Sequence, residues 1–281
     1  MSRVLVTGAS GFIGTHVVPR LRAEGHEVFE VHRAAGDVSE PATWAVCPAA
    51  DVVLHLAARS FVPDSWASPG LFLRTNVIGT VSALEYCRAH GARLVFPSSY
   101  MYGDAVQLPI PESAALVAKN PYALSKKLAE EACGFFAERF DVTVTILRLF
   151  NIYGPGQPEA FLVPTIVNQL RGGTEVRVKD LEPRRDYVYV RDVVDAMVKA
   201  VAAQRGLQVF NLGSGTSHSV GDLIQMIQDV WGTALPVRSD GVRRPDEVME
   251  TVADITRAER ELGWKPQFNL RQGLEDLHAA L

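Results

Sequence analysis

Three glycines spaced by two residues, directly behind a short apolar run, constrain this chain more than any other feature. Val4-Leu5-Val6 reads as a buried strand, and Thr7-Gly8-Ala9-Ser10-Gly11-Phe12-Ile13-Gly14 follows it. A strand, a glycine-rich turn and a helix expected from about Phe12 to Glu24 open a doubly wound α/β fold. Gly8, Gly11 and Gly14 let backbone amides approach a pyrophosphate, whose charge the helix N-terminus favours. The pattern thus predicts a dinucleotide seated on residues Gly8 to Gly14. An ordinary strand-to-helix turn is the competing explanation of the glycines.

His26 to His32 supplies a second strand. Dinucleotide folds often carry an acidic residue at this strand end, for the adenosine ribose hydroxyls. Here the position is His32, followed by Arg33. A guanidinium there suits the 2′-phosphate of NADP(H), which is expected in preference to NAD(H). Asp37, before Val38, either approaches the adenine edge or caps a helix beginning near Pro41. Only 17 residues separate Arg33 from the next strand, Asp51 to Leu56. One short helix fits in that span, and a full extra helix-strand-helix does not. Leu56, Ala57 and Ala58 end the third strand, where small residues let a cofactor lie close.

A helical pattern covers Pro69 to His90, and Ala92 to Pro97 is a fourth strand. Strand carboxyl ends face the ligand crevice in open α/β sheets, so Ser98 is well placed for chemistry. In Asn120-Pro121-Tyr122-Ala123-Leu124-Ser125-Lys126, Asn120 is a good N-cap and Pro121 a good first helical residue. Tyr122 and Lys126 then lie one turn apart on one face. The ammonium and the positive end of the helix dipole both favour a phenolate, which predicts an acid/base tyrosine working near neutrality. That helix should run to about Phe140, and Val142 to Ile146 forms a fifth strand.

Beyond it, Arg148 to Gln157 is dense in proline and glycine and departs from the α/β alternation. Further helices are expected over Val163–Arg171 and near Val220–Trp231 and Asp254–Leu262, and the Arg184–Asp192 segment leads to a strand and then a helix to about Ala203. Gln208 to Asn211 returns to strand pattern. A net charge of −4 offers no field for nucleic acid or an anionic membrane, and no apolar run is long enough for a span. Met1-Ser2-Arg3 runs straight into a strand, leaving no room for a signal peptide. With the unpatterned Cys47, Cys87 and Cys133, this predicts a cytoplasmic protein with reduced thiols. No metal-ligand cluster stands out.

Taken together, TGASGFIG, HLAA, PSSYMYG, NPYALSK, RLFNIYGPGQ, RRDYVYVRD and RRPDEV resemble the extended short-chain dehydrogenase/reductase superfamily. Within it, the chain looks like nucleotide-sugar epimerases, dehydratases and ketoreductases, from Arg3 to about Phe268. The resemblance implies Ser98, Tyr122 and Lys126 as catalytic residues, with Lys126 also on the nicotinamide ribose and Phe150 beside the cofactor. It implies Ser98, Ser99, Tyr100, Asn151, Arg185, Arg244 and Glu247 on the substrate side, the last three for nucleotide diphosphate and ribose. Surface ion pairing is the plain alternative for the arginines.

The implied fold is α/β: a Rossmann-type doubly wound, mainly parallel sheet over residues 1–153 and 186–215. A smaller substrate lobe is implied over 154–185 and 216–281. The 4,6-dehydratases carry Asp-Glu after the catalytic serine or threonine, whereas this chain has Ser99-Tyr100. The expected activity is therefore NADP(H)-dependent reduction, at C4, of a nucleotide-linked 4-keto-6-deoxysugar, like GDP-4-keto-6-deoxymannose reductases. The alternatives are an NAD-dependent 4-epimerase resembling the UDP-glucose enzymes and, more remotely, a non-catalytic dinucleotide sensor. A homodimer through a four-helix bundle is also implied, from helices near 70–90 and 121–140, with Leu84, Cys87, Cys133 and Phe136 as its apolar surface.

Overall fold

A computed structural model describes residues 1–202, 206–242 and 247–281. The chain enters through β1 (Arg3–Thr7), turns into α1 (Phe12–Ala23) and returns as β2 (Glu27–Val31). The short α2 (Pro41–Ala45) leads to β3 (Val52–His55). Next come α3 (Val62–Ala67), α4 (Pro69–Leu73) and α5 (Gly79–His90), then β4 (Arg93–Ser99), α6 (Pro121–Phe140) and β5 (Val144–Leu149). The alternation breaks after β5 into β6 (Asn151–Tyr153), α7 (Leu162–Gly172), β7 (Val176–Val178), β8 (Arg184–Arg185) and β9 (Tyr187–Tyr189). It resumes with α8 (Val190–Val201) and β10 (Leu207–Leu212). The chain then forms β11 (His218–Ser219), α9 (Val220–Trp231), β12 (Val237–Ser239) and α10 (Leu270–Ala279).

Six strands form the central sheet in the order β10-β5-β4-β3-β1-β2, with every neighbouring pair parallel. The order reverses at β1, whose neighbours β2 and β3 leave in opposite directions; the crevice there is where such sheets take ligands. β2 is an edge because the short span after Arg33 carries no further strand. Burial on both faces explains the unbroken apolar runs of the strands. Val4, Val6, Leu54 and Val95 face α1 and α8, through Val17, Leu21, Val193 and Met197. Leu5, Val53, Leu94, Phe96 and Ile146 face α5 and α6 on the other side.

Leu84, Cys87, Cys133 and Phe136 belong to this second layer, no more than 7% exposed. The expectation that they form an intersubunit surface is therefore incorrect. The apolar face of β4 and β5 takes up these side chains before any partner could.

The helix expected over 69–90 is present, with residues Arg74–Ile78 wound as a π turn. The helix expected over Asp254–Leu262 is present from Thr256, two α-helical residues running into a π turn, Ala258–Leu262; Asp254 stays outside it, donating its amide to Ile110, to which Ala253 also bridges. α10 was not anticipated, although its Asn269–Gln272 capping box is written in the sequence. Among the described residues, three two-stranded sheets, β6–β9, β8–β11 and β7–β12, form outside the main one. Asp186, fully buried between β8 and β9, accepts from Ser214 N and Oγ, Gly215 N and Ala253 N. That one carboxylate ties the loop after β10 to the segment before the last helices.

Candidate active site

Gly8 has φ of +68°, and a Cβ there would lie 2.7 Å from Ala57 N. Only glycine meets both demands, so the turns after β1 and β3 lie against each other. A Cβ on Gly14 would lie 2.4 Å from Ala9 O, so α1 too lies close to the turn. Gly11 caps α1 with no side-chain bond, and no acidic residue occupies the first turn. First-turn amides have no intrahelical acceptor and suit an anion. Ser10 and Gly11 are exposed and Phe12 and Ile13 half-buried along this edge. The cradle fits a dinucleotide pyrophosphate. Leu56 N and Ala57 N bond to Thr7, which seats Leu56, Ala57 and Ala58 beside the cradle.

His32 is exposed, with Nε2 3.4 Å from Glu30. Arg33 opens a 3₁₀ turn over Arg33–Ala35 and is exposed, with no protein partner among the described residues. Asp37 accepts from Ser39 N and Oγ, bonds that hold its carboxyl below the usual range. It shapes the turn ahead of α2 and does not cap it; Glu40 holds that position. Val38 is buried behind it.

Asn120 Oδ1 accepts from Ala123 N at 2.8 Å, so α6 starts where its sequence signal stands. Tyr122 and Lys126 follow on one face. Lys126 is 3% exposed; Nζ donates to Pro97 O at 2.7 Å and sits 4.0 Å from the Phe96 ring centroid. Burial pushes the lysine down to about 8. Burial also pushes Tyr122 up to about 12, partly opposed by a hydrogen bond with Ser99 and reinforced by Tyr100. The expectation of a phenol that titrates near neutrality is thus reversed. Desolvation outweighs the helix dipole, and the ammonium is turned to β4 instead of the phenol. Ser98 is 4% exposed and its Oγ has no partner.

Tyr100 stacks on Phe150 with centroids 4.8 Å apart and donates to Asn151 Oδ1 at 3.0 Å. Asn151 Nδ2 donates in turn to Asp186 O at 3.1 Å. Arg185 and Glu247 form a half-buried ion pair. Arg244 lies outside the described residues. The structure thus joins Ser99 to Tyr122, Tyr100 to Asn151 and Arg185 to Glu247, and leaves Ser98 unbonded beside them in sequence.

Residues 4–213 match the NAD dependent epimerase/dehydratase family. The chain belongs to that family. This family member is 30% identical to a GDP-6-deoxy-D-mannose reductase of Pseudomonas aeruginosa, over 97% of its own length and 94% of the relative's. It is 32% identical to a UDP-glucose 4-epimerase of Lactobacillus helveticus, over 94% and 92% respectively. Its fold superposes on a structure of RMD from P. aeruginosa complexed with NADPH with a TM-score of 0.92, at 29% identity, covering 100% of this chain and 98% of the other.

Sequence reasoning missed the polar network beneath the family member's α6. Arg148 reaches both carboxylate oxygens of Glu130, Tyr102 Oη and Glu112 O. Tyr102 Oη donates to Asn211 Oδ1 at 2.6 Å, and Asn211 N donates to Glu112 Oε1. One signal was available: Glu130 stands one turn beyond Lys126, as Lys126 stands one turn beyond Tyr122.

Proposed function

We propose that this enzyme uses NADP(H) to reduce the C4 ketone of a nucleotide-linked 4-keto-6-deoxyhexose. The observation that carries the reading is Arg33, exposed and unpartnered directly after β2, with no carboxylate at position 32. A guanidinium there pairs with a 2′-phosphate, where a carboxylate would repel it. The NADPH-bound Pseudomonas structure, of the same fold, supports the same choice.

A nicotinamide dinucleotide bound against Gly8–Gly14, Leu56–Ala58 and Phe150 would supply the hydride. Tyr122, kept protonated by burial, gives its proton to the C4 oxygen. Ser98 Oγ, with no bond to give up, donates to the same oxygen. Lys126 holds the nicotinamide ribose and, when charged, stabilises the phenolate left on Tyr122. Asn151, Arg185 and Glu247 grip the nucleotide diphosphate and ribose, while Ser99 and Tyr100 line the sugar. Binding energy from that remote grip orients the reacting carbon. Neither Ser99 nor Tyr100 carries the carboxyl that water elimination needs. We assign the dinucleotide to residues 1–153 and 186–215 and the sugar nucleotide to 154–185 and 216–281.

The deciding experiment offers a 4-keto-6-deoxy nucleotide sugar with NADPH or NADH. Faster turnover with NADPH supports the reductase. Interconversion of C4 epimers without added cofactor would overturn it for a 4-epimerase, the reading that the Lactobacillus relative favours.

We also propose a homodimer through α4–α5 and α6, on a different set of side chains from those first expected. Leu124, Leu128 and Phe135 lie along one stripe of α6, and Leu71 and Ile78 are exposed on the neighbouring helix. A reducing, cytoplasmic setting agrees with three unpaired cysteines. No helix among the described residues is long and apolar enough to cross a membrane.

A further inference from the structure

Tyr187 is 5% exposed, yet its hydroxyl has no hydrogen-bond partner. A buried hydroxyl without a bond is unfavourable, and phenylalanine would fill the same space without that loss. The position of the residue indicates a use for the hydroxyl. β6 and β9 pair in parallel, with Asn151 the register partner of Tyr187, so the two residues share a face. Arg185, two residues earlier in the same extended run, lies on that side as well. Asp186 between them turns the opposite way, into the Ser214, Gly215 and Ala253 donors. The Arg185 guanidinium and the Tyr100 phenol both act electrostatically on Tyr187. Its oxygen is therefore close to the groups assigned above to the nucleotide diphosphate.

Burial holds this phenol above its ordinary range. It stays protonated at any working pH and serves as a neutral donor. A donor set beside a guanidinium suits a group made only of anionic acceptors. In a nucleotide sugar that group is the diphosphate, since the sugar hydroxyls and the base carry donors too. We infer that Tyr187 Oη donates a hydrogen bond to a diphosphate oxygen of the nucleotide-sugar substrate, alongside Arg185. This rests on the nucleotide-sugar reading above and adds to it a contact that binding alone completes.

The test is Tyr187→Phe in the full chain, with three measurements. The melting temperature of the ligand-free variant should equal or exceed that of the parent, because an unbonded hydroxyl is removed. Calorimetric affinity for whichever of UDP, GDP, dTDP or CDP the parent binds should fall about tenfold, the effect of one hydrogen bond to a charged group. NADPH affinity should stay unchanged. Undiminished diphosphate affinity overturns the inference while the nucleotide-sugar reading stands. A lower melting temperature overturns it as well, since the hydroxyl would then be bonded in the resting protein. Equal losses for the diphosphate and NADPH would mark a general disturbance and have the same consequence. If the parent binds none of the four diphosphates, the substrate reading falls and this contact falls with it.

Discussion

Tyr122 and Lys126 lie one turn apart on α6, but their polar ends engage different residues of β4. The phenol bonds with Ser99, and the ammonium donates to Pro97 O at 2.7 Å. Helix and strand are thereby stitched at two points two residues apart. The lysine is thus an anchor of α6 on β4, held by Pro97 O and the Phe96 ring.

The reduction rate should fall as pH rises through about 8. Lys126 is depressed from its ordinary 10.5 to about 8, so it is charged below that pH and neutral above it. Tyr122, at about 12, remains protonated across the same interval. The proton donor is thus constant, and the charge that stabilises its phenolate is what disappears. Single-turnover hydride transfer followed across this range should show one descending limb, and a flat profile would refute the assignment.

Tyr122→Phe should lower turnover by about 10²–10⁴-fold, the usual contribution of a positioned acid/base group. NADPH binding, followed by fluorescence, should change little, because the ring and its contact with Phe72 remain. Turnover near that of the parent would show that another group delivers the proton.

Glu130→Gln should destabilise the fold by roughly 3–5 kcal/mol, the usual effect of removing one partner of a buried ion pair. Both side chains are under a tenth exposed, and the orphaned Arg148 would keep its charge inside. The double variant Glu130→Leu, Arg148→Met should recover much of that loss. Denaturant titration of all three proteins measures this; equal loss in single and double variants would show that the pair is not the unit that matters.

Arg33→Ala should weaken NADPH binding by about ten- to a hundredfold and leave NADH binding unchanged. Competition between the two dinucleotides reads the ratio directly. Equal effects on both would remove Arg33 as the basis of NADP(H) preference.

Phe135→Asp should give a monomer by light scattering with the fold intact. Phe135 is 55% exposed, and the rings it meets within the single chain are Phe136 and Phe140, edge to face, at the end of α6. An unchanged mass, whether monomeric or dimeric in both proteins, would exclude this face as the interface.

Local chemistry accounts for what could be read without a structure. The strand-turn-helix at Gly8–Gly14, the Asn120 cap of α6 and the one-turn spacing of Tyr122 and Lys126 all depend on residues close in the chain. The short span after Arg33 similarly left β2 at the sheet edge. Tertiary packing decided the rest. The ionisation of the half-buried Tyr122 and the buried Lys126 follows from how far the fold withdraws each from water, a property of neighbours distant in sequence. Spacing alone predicted the opposite direction for the phenol. Which apolar stripe of α5 and α6 faces β4, and which is left for a partner, depends on the tilt at which the helices settle; Cys133 and Phe135 stand two residues apart with opposite fates. The same holds for Tyr187: its hydroxyl is notable only because β6 and β9 bring Asn151 beside it and nothing else bonds to it.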